Sequence, residues 1–287
     1  MAITNKSTAL YVTDLAKAEV TVRTALRRIG LSIRTSALDA FRLWILPTEG
    51  TLSYELPSSQ LTNELASTLT YAYLLGNERV FKHYNSRTKP IALSVRYSRE
   101  AGAYNAVDQA TVRVLSRIFR SKAIEIVKGL NEKASTAIRK LVATAVKQGR
   151  SRKQLARSIE IVFNRLGITG QTKYTIATIA RTQAQLAFNA GKWNAENSPQ
   201  VKDSLWGYIY QTVGDDKVRH EHELIDGVTL PKRSAFWSTN YPPNGYNCRC
   251  QAIALFEPEK IVRPPNDYIG PDEDFIFNPG KLFSGIL

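Results

Sequence analysis

Apolar side chains recur every three or four positions over most of the chain before Pro199, and this spacing sets the first expectation of structure. From Asp14 to about Leu46 the series Leu15, Val22, Leu26, Ile29, Ile33, Leu38 and Phe41 predicts one or two amphipathic helices, stopped by Pro47-Thr48-Glu49-Gly50. A second helical stretch from about Gln60 to Tyr84 carries Leu61, Leu65, Leu69, Tyr73 and Leu74 on one side, and Lys89-Pro90 breaks it. Ala106 to Gly149 is rich in Ala, Val, Ile and basic residues, with Gly129-Leu130-Asn131 reading as an interruption between two helices. Ser151-Arg152-Lys153-Gln154 has the form of a capping box and opens a helix to about Asn164, ended by Gly167 and Gly170. A further helix is expected from about Lys173 to Glu196, through Ile176, Ile179, Ala180, Ala187 and Trp193.

Beyond Pro199 the period changes from helical to alternating. Trp206, Tyr208 and Tyr210 alternate with Gly207, Ile209 and Gln211, the period of a strand, and Gly214-Asp215-Asp216 is a turn. Val218 to Ile225 predicts a short helix ended by Asp226-Gly227, and the alternation from Cys250 to Leu255 predicts a closing strand. After Glu257, Pro258, Pro264, Pro265, Pro271 and Pro279 interrupt any long element, so the tail is expected to run extended over the surface or a partner. The fold class is therefore α+β, largely helical in its N-terminal and middle regions. The expected divisions are a helical region 1–95, a basic helical region 96–170, a small α+β domain 171–256 and an extended tail 257–287.

A chain of 287 residues is long enough for two domains with hydrophobic cores of their own. No run approaches the ~18 to 20 apolar residues of a membrane span, which sets the expectation of a cytosol-like compartment. The formal charge of +14 is unevenly distributed. Between Arg113 and Arg165 fourteen Lys and Arg stand against Glu125, Glu132 and Glu160. A one-signed excess of this kind suits a polyanion-facing surface, with Arg139, Lys140, Lys147, Arg150, Arg152, Lys153 and Arg157 as candidate contacts to double-stranded DNA. The alternative is a solvated helical face that keeps the protein soluble. Aromatic residues are nearly absent there, which favours non-specific backbone contact over stacking on single strands.

The chemistry-bearing residues concentrate between Asp216 and Cys250. Both cysteines, Cys248 and Cys250, lie in Pro242-Pro243-Asn244-Gly245-Tyr246-Asn247-Cys248-Arg249-Cys250, downstream of Asp216-Lys217-Val218-Arg219-His220-Glu221-His222 and Asp226-Gly227. On an extended chain two cysteines one residue apart have Cα atoms roughly 6.6 to 7 Å apart, at the edge of disulfide geometry. If the chain bends, both thiolates can converge on one metal; otherwise they are reduced thiols packed in a small domain. The zinc deaminase pattern is not met, because the cysteines are spaced Cys-x-Cys and no His-x-Glu element is present. The His-Glu-x-x-His metalloprotease pattern is not met either, since His220 and His222 are two apart. A metal-dependent nuclease on His220, His222, Asp216 and Asp226 is compatible with the spacing, but no base and open metal position can be argued together.

The order Asp216-x-x-Arg219-x-x-His222, Asp226-Gly227, Trp237, Pro243, Asn247-Cys248-x-Cys250 resembles the phage Mu F-like family of minor head proteins, also called head morphogenesis proteins. Ile179-Ala180-Arg181-Thr182 upstream and Phe277-Asn278-Pro279-Gly280 downstream fit as well, so the resemblance covers roughly residues 150 to 283; Gln183 stands where the family has Glu. The resemblance implies a non-enzymatic virion protein, present in few copies inside the head, with portal protein, major capsid protein and packaged DNA as partners, and with the host cytoplasm as its place during assembly. It makes His222 the better metal-ligand candidate beside Cys248 and Cys250, with His220 or Asp216 to complete a zinc site. The metal-free alternative is a buried hydrogen-bonded network of Asp216, Arg219 and Asp226. Arg181 is expected either to pair with a neighbouring acid or to organise the motif. A host-directed DNA-binding protein is the competing function.

Overall fold

Helices occupy the stretches where apolar residues recur at helical spacing: α1 (Asn5–Arg42), α2 (Ser59–Asn85), α3 (Gln109–Lys147), α4 (Arg152–Arg165) and α5 (Thr175–Glu196). The computed structural model describes residues 5–42, 59–85, 96–97, 104–105, 109–148, 152–167 and 175–282. The expected stops at Pro47-Thr48-Glu49-Gly50 and Lys89-Pro90, the cap residue Ser151 and the terminator Gly170 lie outside the described residues. Gly167 is described, and its φ of 64° follows the end of α4.

The expected interruption at Gly129-Leu130-Asn131 does not occur, because α3 runs through it unbroken. The buried stripe Leu115, Phe119, Ala123, Val127, Leu130, Ala134 and Ile138 keeps its phase across Gly129. A glycine in a helix interior costs about 1 kcal/mol relative to alanine. Burying a single Leu, Val or Phe contributes about 1.5–3 kcal/mol, so the stripe outweighs the glycine.

A three-stranded antiparallel sheet follows α5, in the order β4 (Thr229–Pro231), β3 (Gly207–Gln211), β5 (Gln251–Leu255). Tyr208 pairs with Ala254 and Leu230, and Gln211 with Gln251. Short helices α6 (His220–Glu223) and α7 (Phe236–Thr239) lie in the connections. A two-residue ladder, β1 (Arg96–Tyr97) with β2 (Tyr104–Asn105), precedes α3. The chain is thus mostly helical with a small late sheet, the α+β class read from its pattern.

The tail folds back on the sheet's unit. Val262 bridges Thr229 through both backbone hydrogen bonds, 2.9 and 3.0 Å, extending the outer edge of β4. Phe275, Asn278 and Gly280 are buried around two 3-10 turns, Glu273–Phe275 and Pro279–Leu282. Asn278 explains the docking: its Nδ2 donates to Trp237 O (2.8 Å), while its Oδ1 accepts from Gly280 N (2.9 Å). Gly280 sits against the Trp193 ring, where a Cβ would collide.

Two compact units emerge, and they interleave along the chain where the sequence suggested consecutive blocks. One comprises residues 1–20, 69–115 and 181–287, the other 21–68 and 116–180. The second unit is helical, with Leu26, Ile29, Ile33, Val127, Phe163 and Ile176 among its core residues and Arg28 forked onto Glu64. In the first unit α2 and α5 approach closely: a Cβ at Gly191 would strike the Tyr73 carbonyl, and one at Gly76 the Phe188 carbonyl. Among the described residues no helix is long and apolar enough to cross a membrane.

Candidate metal centre

His222 on α6 and Cys248 and Cys250 in the loop before β5 come together although 26 residues separate the histidine from the nearer cysteine. One ligand atom from each lies within 4.8 Å of the others, and all three side chains are buried. Cys250 Sγ is 3.4 Å from His222 Nδ1. The sharp bend that separates the cysteines from an extended strand is at Asn247, whose φ is 58°. Asparagine tolerates this left-handed region better than most residues. Thr182 Oγ1 accepts a hydrogen bond from Asn247 N (3.2 Å), so Thr182 of α5 positions the loop.

The three side chains shift one another's proton affinity. Burial alone would raise the Cys248 pKa, but hydrogen bonds from Cys250 and His222 and the His222 charge hold it well below its usual value. Cys250 is pushed up by its hydrogen bond to Cys248 and by burial. Burial lowers His222, yet its hydrogen bond to Cys248 and the thiolate charge outweigh that and raise it. Both cysteines are free thiols.

Around the trio, the structure sorts the remaining sequence candidates. Arg219 donates to Tyr246 O (2.6 Å) and lies 3.7 Å from Asp272, tying α6 to the cysteine loop and the tail. Asp226 accepts from Thr212 N (2.7 Å), closing the turn that Gly227 completes at a φ of 79°. Asp216 and His220 are exposed and stand outside the cluster, His220 Nδ1 being 4.0 Å from Glu223. The buried network of Asp216, Arg219 and Asp226 does not form, because both carboxylates face solvent. Trp237 is buried, its Nε1 donating to Leu230 O (3.3 Å) and its ring edge-on to Tyr208. Pro243 follows a cis peptide from Pro242 and is buried at the start of the loop. Arg181 forks onto Glu19, at 3.1 and 3.2 Å, which is the ion-pair alternative.

Three partners were not legible in the sequence. Asp215, rather than its neighbour Asp216, forms a bidentate pair with Arg249 (2.5 and 2.6 Å), and Arg249 holds its carboxyl down at about 2. Gln185, fully buried on α5, donates to Cys250 O (2.8 Å) and reaches Cys248 Sγ at 3.8 Å. Asn244 is also fully buried, and its backbone hydrogen bonds reach both His222 and Cys248.

The basic candidates fall on α3 and α4. Arg139, Lys140 and Arg157 are exposed, while Arg150 lies outside the described residues and the side chains of Lys147, Arg152 and Lys153 are not described.

Comparison with known proteins agrees with the motif geometry. Residues 136–253 match the model of the family described as Phage Mu protein F like protein. The chain is 27% identical over 151 residues to the Mu capsid assembly protein F of Escherichia phage Mu, covering 47% of this chain and 34% of that protein. It is 24% identical over 149 residues to the Mu-like prophage FluMu F protein of Haemophilus influenzae, covering 48% and 36%. The chain thus spans about a third of the length of the curated relatives it matches. No solved structure matches it significantly. His222, Cys248 and Cys250 all lie inside residues 136–253, the segment over which the chain is similar to the Phage Mu protein F like family.

Proposed function

We propose that the chain acts in the assembly of a phage head, as a virion component without catalytic turnover. The observation that carries this reading is the match of residues 136–253 to a family whose relatives include a protein named for capsid assembly. The site supports a scaffold more than a catalyst. Arg219, Thr182, Asp215 and Asn278 each spend their hydrogen bonds fastening one segment of the chain to another. The nuclease alternative draws on His220, Asp216 and Asp226, which face solvent outside the histidine–cysteine cluster.

In the finer form of this reading the chain is a low-copy protein inside the head, in contact with portal or major capsid protein and with packaged DNA. The unit containing the sheet and tail docks on protein, through apolar side chains it leaves in solvent, such as Ile269 at 91% exposure and Ile276 at 57%. The basic helices α3 and α4 face DNA, since Arg117, Arg120, Lys128, Arg139, Lys140 and Arg157 are all exposed. Phage produced without this chain should yield few DNA-filled heads, restored by supplying the wild-type chain in trans. Normal numbers of filled, infectious heads in its absence would overturn the reading.

A further inference from the structure

The function proposed above uses the histidine–cysteine cluster only as a fastening, yet its composition is that of a soft-metal site. Two thiols and an imidazole are the donors that zinc and its close relatives prefer. In a tetrahedral zinc site, Zn–S of about 2.3 Å and Zn–N of about 2.0–2.1 Å place a sulfur and a nitrogen ligand roughly 3.6 Å apart. Cys250 Sγ and His222 Nδ1 stand 3.4 Å apart, and all three ligand atoms fall within 4.8 Å of one another. Little movement is needed to place one ion in contact with all three.

The surroundings supply a second line of evidence. Metal-bound thiolates keep acceptor capacity and are oriented by neighbouring donors. Gln185 Nε2 already reaches Cys248 Sγ at 3.8 Å. The Tyr210 hydroxyl is fully buried and hydrogen-bonds the Cys250 sulfur. Asn244, whose main chain abuts His222 and Cys248, is itself fully buried. The Gln185 amide and the Tyr210 hydroxyl thus both address the cysteine sulfurs, as donors do around metal-bound thiolates. Two thiolates also neutralise a divalent cation, which removes the desolvation cost that an unpaired buried charge would carry.

Among the described residues no fourth His, Cys, Asp or Glu joins His222, Cys248 and Cys250. The trio instead lines a small solvent-open cleft together with Val213, Lys217 and Arg219. We infer that His222, Cys248 and Cys250 bind one zinc-class divalent ion through three protein ligands, with the fourth coordination position on the cleft side taken by water. The ion clamps α6 to the cysteine loop, and the inference stands independently of the role in head assembly.

The test uses the full chain purified without chelator. Elemental analysis should find about one equivalent of zinc per chain, and exchange for Co2+ should give sulfur-to-cobalt charge-transfer absorption at the intensity of two thiolates. Cys248→Ser, Cys250→Ser and His222→Gln should each lose the metal, whereas His220→Ala should retain it. Gln185→Leu, which leaves all three ligands in place, should weaken zinc affinity by about ten- to a hundred-fold. If the cysteine variants fail to fold, the wild type decides the matter: chelation should lower its Tm, and Zn2+ but not Mg2+ should restore it. A chain without bound metal whose Tm ignores both chelator and Zn2+, or Co2+ bound without thiolate absorption, would overturn the site. So would a Cys248–Cys250 disulfide in the freshly isolated protein.

Discussion

Asn247 shows how one residue sets the geometry of the cysteine loop. Its φ of 58° turns the chain so that Cys248 and Cys250 face His222, and its backbone N–H is held by Thr182. A β-branched side chain in this region costs about 1–2 kcal/mol, whereas glycine enters it freely. Asn247→Val should therefore destabilise the protein by about 1–2 kcal/mol in denaturant melts, and Asn247→Gly should be nearly neutral; equal losses would mean the asparagine side chain, not the backbone, is what matters. The motif positions were legible because residue type and spacing together carry the chemistry, as in Arg219-x-x-His222 and Cys248-x-Cys250. Asp215 was not, since two adjacent aspartates are equivalent on paper until the fold brings Arg249 to one of them.

Periodicity located the helices, but it carried no sign that one polar face of α5 is buried. Gln185, Asn189, Lys192 and Glu196 line one side of α5 at helical spacing. All four are fully buried. The loop and strand packed against them present backbone carbonyls, and these need donors: Gln185 serves Cys250 O, Asn189 serves Pro242 O (3.0 Å) and Lys192 serves Ala252 O (2.6 Å). Lys192 Nζ also lies 4.5 Å from the Tyr11 ring centroid, and burial pulls its pKa down to about 8. The unfolded chain holds that proton to about 10.5, so between pH 8 and 10.5 unfolding takes up a proton and stability rises with pH. The rise should shrink in Lys192→Met, measured as the difference between variant and wild-type melts at pH 8 and pH 10; an unchanged slope would mean Lys192 is not buried as described. Gly129 was expected to interrupt a helix that runs straight through it. A Cβ at Gly129 meets nothing within 4 Å, so Gly129→Ala should stabilise the continuous α3 by about 0.5–1 kcal/mol, while Gly191→Ala, which strikes Tyr73 O, should destabilise. Loss of stability in Gly129→Ala would restore the interrupted helix.

For the whole molecule, the interleaved units were beyond the reach of local pattern, because contacts between helices far apart in sequence leave no trace in periodicity. Helices α1, α2, α3 and α5 each contribute to both units, whereas a division by composition follows the chain. Charge distribution, by contrast, was legible throughout, and it yields a quantitative expectation. If α3 and α4 contact DNA phosphates, log K should fall linearly with log salt at about −0.9 per contact, and replacing Arg139, Lys140 and Arg157 by Ala should flatten that slope by about 3. An unchanged slope would return these side chains to a solubilising role. A role within the phage head can be read out by quantifying this chain by mass spectrometry in purified virions, with DNA-filled heads separated from tails. The chain should co-purify with heads in far fewer copies than the coat protein. Its absence from purified virions would contradict the account and favour a DNA-binding protein directed at the host.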